Sequence, residues 1–206
     1  MKTVLNLCLI LVLAYCHATR AEIQQIGPNY FSAGVSSHEF EYFAAPQQQG
    51  RQRQENWCWA ATIQMVLNFH GLYVSQEDVV ARVFGNLDDL PGTPQDILNA
   101  LSGWAPDVRG RYSSISADPY VFDRQHLVPD LAYKWPLIVG LRTGGNIGHA
   151  YVLTAVYYST DGFNLPVFDK VVLRDPWPAN ESRLEMSWAE FVQRRQFMAR
   201  VYVERQ

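Results

Sequence analysis

The chain has 206 residues, 48% of them apolar and 13% aromatic, with 17 Lys and Arg against 20 Asp and Glu and a formal charge of −3. That length and apolar content are enough for one domain with a real core and exclude a disordered chain. The slightly acidic balance gives no support for a nucleic-acid partner.

In chain order, the first element is an export signal. Lys2 is a short positive start, Val4 to Tyr15 is almost wholly apolar, and two small-residue exits follow, Cys16-His17-Ala18 and Thr19-Arg20-Ala21. The apolar run suits a signal peptide and is too short to span a bilayer as a helix. Residues 1–21 are therefore expected to be removed, with cleavage after Ala21 or, as the alternative, after Ala18. A lipoprotein route through Cys16 is disfavoured by bulky Tyr15, and no later stretch is long and apolar enough to insert in a membrane. The expected location is outside the cell or in a periplasm. Retention of Met1 on exported protein, read by mass spectrometry, would refute this.

Residues 22–50 read as an N-terminal extension and linker with weak periodicity, and the glutamine-rich run Gln47 to Gln54 reads as a polar connector. A folded domain is expected over 51–206. Its first helix, near 57–70, has Asn56 as a plausible N-cap and Gly71 as its stop, and it is apolar nearly all round, so it should be buried. Ser75 with Asp78 caps a second helix ending near Gly85, and Thr93-Pro94 opens a third ending near Gly103. A fourth lies within 123–135, started or kinked by Pro129.

After Trp135 the pattern turns to strands. They are expected at Pro136 to Arg142, His149 to Tyr158, Val167 to Arg174 and Phe197 to Val203. Thr143 to Gly148 is a turn, Asp161-Gly162 marks a hairpin, and Ser187 with Glu190 caps a short helix. Helices first and an antiparallel sheet second is an α+β layout.

Of three cysteines, Cys8 and Cys16 leave with the signal, so Cys58 stands without a partner. In an oxidising compartment an odd cysteine is an intermolecular bridge, a reactive thiol or a small buried apolar residue. Cys58 falls in the first turn of the buried helix, where free amides and the helix dipole favour a thiolate and can donate to an oxyanion. A thiolate nucleophile needs a base. His38 lies in the extension, His70 at the far end of the same helix and His126 on a surface helix. His149 follows a glycine-rich turn and opens a strand, an accessible place on a rigid element.

The blocks Gln54-Glu55-Asn56-Trp57-Cys58-Trp59-Ala60-Ala61, Gly148-His149-Ala150-Tyr151-Val152-Leu153-Thr154-Ala155 and Leu173-Arg174-Asp175-Pro176-Trp177-Pro178 resemble papain-like cysteine peptidases. The nearest branches are the bacteriocin-leader-processing peptidases and related bacterial effector proteases. The resemblance implies a papain-like α+β fold, in which an N-terminal helical part with a buried catalytic helix packs on a C-terminal antiparallel β-sheet. It implies Cys58 as nucleophile, His149 as general base and acid, and Asp175 as the group orienting the imidazole. Trp177 matches the family's tryptophan beside the histidine pair. The oxyanion glutamine of the family, six residues before the cysteine, falls on Gln52, with Gln54 as runner-up.

The sequence departs from that pattern twice. Residues 22–50 are short for a papain-type pro-segment, and no exporter segment of the kind fused to leader-processing peptidases is read here. The expected substrate is a peptide or protein, with no cofactor and no metal. An acyl transferase or deamidase on the same site, or a binding protein on an inactive scaffold, are the rival readings. A zinc site from Cys58 and His149 lacks ligand-pair spacing. Asn180-Glu181-Ser182 also fits a glycosylation sequon.

Overall fold

The computed structural model describes residues 22–45, 50–107, 109–144 and 148–204. The signal segment read over 1–21 lies outside them. In chain order the elements are β1 (Ile23–Gly27), β2 (Tyr30–Gly34), α1 (Ser37–Ala44), α2 (Cys58–Phe69), α3 (Gln76–Phe84), α4 (Pro94–Ala100), β3 (Ser114–Pro119), α5 (Arg124–Ala132), β4 (Leu137–Arg142), β5 (Gly148–Thr160), β6 (Pro166–Arg174), β7 (Arg183–Ser187), α6 (Trp188–Arg194) and β8 (Arg195–Glu204). No helix among them is long and apolar enough to cross a membrane.

The strands form one antiparallel sheet in the order β1-β2-β5-β4-β8-β3. β5 is its axis. β4 and then β2 follow one another along one edge, while β6 pairs with the other edge and carries β7. Side chains alternate across a strand, and β5 shows what that alternation serves. Ala150 and Val152 point into a core with α1 to α4, and Tyr151 and Leu153 into a second core with α5 and α6. Because both faces are covered, the middle of β5 is an unbroken buried run. The layout is α+β, as the pattern of elements predicts, but α5 and α6 cover the face away from the first four helices.

α2 is the buried helix of the first core. Trp59 to Leu67 are all buried. Burial of each of Ile63, Met65, Val66 and Leu67 stabilises the fold by about 1.5–3 kcal/mol. The helix stops where predicted: Gly71 takes a φ of 78°, in the left-handed region that ends helices. Its start differs. The N-cap is Trp57, with no side-chain cap, and Asn56 instead donates through Nδ2 to the Asp89 carbonyl at 3.1 Å. The predicted caps at Ser75, Thr93 and Ser187 hold: Ser75 with Asp78 and Thr93 with Asp96 form reciprocal capping boxes, and Ser187 caps α6. Asp123, which the sequence did not single out, caps α5, and Pro129 lies inside that helix.

Residues 23–44, for which the sequence predicts no elements, supply a hairpin and a helix. β2 pairs Phe31 to Gly34 antiparallel with Ala155 to Tyr158 of β5. α1 is held from the far end of the chain, where the fully buried Arg174 ion-pairs with Glu41 at 2.5 Å and donates to the Ser37 carbonyl at 2.9 Å. Arg174 ends β6, so this anchor also fixes the residue before Asp175.

Candidate active site

Cys58 opens α2 and is half-buried, with no disulfide among the described residues. The tryptophans on either side of it fasten the loop between α3 and α4 to the helix start. Trp57 Nε1 donates to the Asp88 carbonyl at 3.1 Å, Trp59 Nε1 to the Leu90 carbonyl at 3.2 Å, and the Asn56 amide to Asp89 Oδ1 at 2.8 Å. Gly92 lies flat on the Trp59 ring, where an added Cβ would come within 2.5 Å of Cδ2. The loop therefore walls the space beside Cys58.

His149 is the second residue of β5 and projects toward the start of α2. Its ring and Cys58 line the same cleft, and the cysteine is among the groups that raise the imidazole pKa. The ring Nε2 lies 2.8 Å from Asp175 Oδ1. Asp175 reaches it because β6 runs beside β5 in a register that sets Arg174 opposite Val152. The Tyr151 ring meets the imidazole edge-on, with centroids 4.7 Å apart.

The carboxylate itself is fully engaged. Oδ1 also accepts from the Trp177 amide at 2.8 Å, and Oδ2 accepts from Asn180 Nδ2 at 2.8 Å. Burial pushes the Asp175 pKa up, but the His149, Asn180 and Trp177 hydrogen bonds outweigh it and hold the group below the usual carboxylate range. For His149 burial acts downward, and the hydrogen bonds and charges of Asp175 and Cys58 overcome it, raising the pKa to about 9. The imidazolium is thus the favoured form near neutral pH.

These groups open on a cleft of about 380 Å³ lined by Cys58, His149, Trp177, Asn180, Tyr151 and Glu55. A more apolar pocket of about 340 Å³ adjoins it, between Pro91, Ile97, Ala150 and Phe197. A larger cavity of about 480 Å³ lies along β2 and the start of α1 and contains none of these residues.

The structure brings Cys58, His149 and Asp175 together and places Trp177 on the cleft wall. It does not bring Gln52 there. Gln52 is buried, and its Nε2 donates to the carbonyls of Gln54 at 2.9 Å and Glu55 at 2.8 Å. Both hydrogen bonds shape the turn before α2, and Gln52 does not line the cleft where an oxyanion would form. Gln54 is exposed and lies with Gln52 in a separate depression beyond Trp177. Of the other histidines, His38 and His126 are exposed on α1 and α5, and His70 caps the far end of α2.

Sequence reasoning missed Asn180, read as a sequon, and Arg51, read as part of a polar connector. A partner for the Asp175 carboxylate within the next turn is a signal that could have found Asn180. Nothing local marks Arg51.

A model of the Peptidase_C39 like family matches residues 41–204. No curated protein matches the chain.

Proposed function

Because this chain belongs to the Peptidase_C39 like family, of papain-like cysteine peptidases, we propose that it hydrolyses peptide bonds through a thioester at Cys58, with His149 and Asp175 as its acid–base pair. What carries this reading is the position of the imidazole, between a cysteine at a helix start and a buried carboxylate, on an open cleft.

In the proposed reaction the Cys58 thiolate attacks the substrate carbonyl and the C–S bond forms as charge moves to oxygen. First-turn amides of α2 face that charge. Collapse breaks the C–N bond, and His149 gives its proton to the departing amine. Water then attacks the thioester, giving a proton back to the imidazole, and collapse breaks the C–S bond, so that the acid product leaves and the thiolate is restored beside the imidazolium. The Asp175 carboxylate keeps the ring in one tautomer throughout. The first half needs the imidazolium, so activity is expected to fall as pH rises through about 9. Alkaline loss centred near the unperturbed 6.5 in a pH–rate profile would contradict that.

The test of function is a peptide-library digest with and without an added primary amine. Hydrolysis products, unchanged in kind by the amine, are expected. Products that carry the amine at the new carboxyl end would assign the site to acyl transfer, and intact peptides throughout would favour a binding scaffold.

A further inference from the structure

The segment entering α2 and the loop leaving β6 are far apart in sequence and are joined directly in the fold. The side chain of Arg51, only 8% exposed, bridges them. Its Nη1 donates to the Asp175 carbonyl at 2.8 Å, and its Nη2 to the Trp177 carbonyl at 2.7 Å and to the Asn180 carbonyl. The backbone around it is pinned as well. The Gln52 amide donates to the Pro176 carbonyl at 2.8 Å, and Gln76 Nε2 links the Arg51 carbonyl, at 2.9 Å, to Gln64 Oε1 on α2, at 3.0 Å.

A buried guanidinium whose hydrogen bonds all run to main-chain carbonyls is an expensive way to hold a loop. What it supplies is a rigid planar fork, and three carbonyls of one loop converge on it. Within the same loop, Asn180 Nδ2 and the Trp177 amide hold the carboxylate itself. Building on the peptidase reading above, we infer that Arg51 and Asn180 are positioning residues: the Arg51 fork fixes the 175–180 loop against the entry to α2, and Asn180 aims the Asp175 carboxylate at His149. The Asn180 amide is also the nitrogen that the sequon would offer for glycosylation, and here it is bonded to Asp175.

A purely fold-stabilising Arg51 would change the melting temperature and leave the imidazole alone. A positioning role moves the imidazole. Three variants separate the two: Arg51→Lys, which keeps the charge and loses the fork, Arg51→Met, and Asn180→Ala on the exposed turn. Each is assayed on a peptide cleaved in the library digest, with the His149 ring titration followed by NMR. Since a misplacement of about 1 Å can cost about 10²-fold, kcat is expected to drop by about that factor with KM little changed. The His149 midpoint is expected to fall from about 9 toward the ordinary 6.5. Arg51→Lys with lowered melting temperature but unchanged kcat and midpoint would overturn the inference. If the Arg51 variants do not fold, Asn180→Ala decides: an unchanged kcat and midpoint there overturns it, and the expected shift supports it. Failure of the peptidase reading itself appears elsewhere, as activity that survives Cys58→Ala.

Discussion

Cys58→Ala is expected to abolish measurable hydrolysis, lowering kcat on the order of 10⁶-fold, as removal of a nucleophile does in an enzyme whose catalytic groups act as a unit. The loss should be chemical and not structural. Cys58 is half-buried at the first position of α2, and alanine is the better helix former, so the fold and melting temperature should hardly change. Peptide binding should survive, because the cleft walls at Trp177, Tyr151 and the loop bearing Pro91 stand on other contacts. Cys58→Ser is expected to be nearly as inactive, since a serine hydroxyl does not form the ion pair that primes the thiol. The comparison is made by steady-state kinetics on one peptide from the library digest. Activity within tenfold of wild type in Cys58→Ala would remove the thiol from the reaction.

The second large effect is at Asp175. Its carboxylate accepts three hydrogen bonds, from His149 Nε2, the Trp177 amide and Asn180 Nδ2. Asp175→Ala leaves all three donors without an acceptor and frees the imidazole to rotate and change tautomer. A loss of about 10⁴-fold in kcat is expected. The pH dependence should move with it. Asp175 is among the groups that raise the His149 pKa to about 9, so the alkaline limb should shift to lower pH in the variant. Asp175→Asn keeps an oxygen for Nε2 and therefore the tautomer, and its amide can be met by rotation of the exposed Asn180 side chain. It is expected to be the milder change. Equal and severe losses from both would mean that the negative charge itself is required. Full activity in both would take Asp175 out of the site.

The contrast between Asp175 and Cys58 shows what the chain discloses before it folds. Caps are local hydrogen bonds, so Ser75 with Asp78, Thr93 with Asp96 and Ser187 could be read where they stand. Cys58 was legible for the same reason, because a helix start has physical consequences for a thiol. His149 followed from a glycine-rich turn opening a strand. Asp175 came only through resemblance, since Asp-Pro alone reads as a turn. β1, β2, β3 and β7 escaped notice because their strand character comes from pairing across the sheet and not from their own composition. β7 is a mixed-charge edge strand whose Glu185 meets Lys170 on β6 at 2.6 Å, and β1 carries two successive glutamines. The six-residue spacing placed Gln52 before the cysteine but could not say where its amide points. That depends on the carbonyls of Gln54 and Glu55, which the turn presents only once folded. Arg51 is the extreme case: its partners lie more than a hundred residues away.

In the proposed reaction a substrate acyl group is carried on the Cys58 sulfur between two chemical steps. This is tested most directly by intact-mass spectrometry of enzyme quenched in acid during turnover of an activated peptide ester, followed by peptide mapping. A mass gain equal to the acyl portion of the substrate is expected, located on Cys58, absent from Cys58→Ala and discharged by hydroxylamine at neutral pH as a thioester is. Turnover with no adduct on Cys58, or with an adduct on another residue, would contradict the proposed reaction.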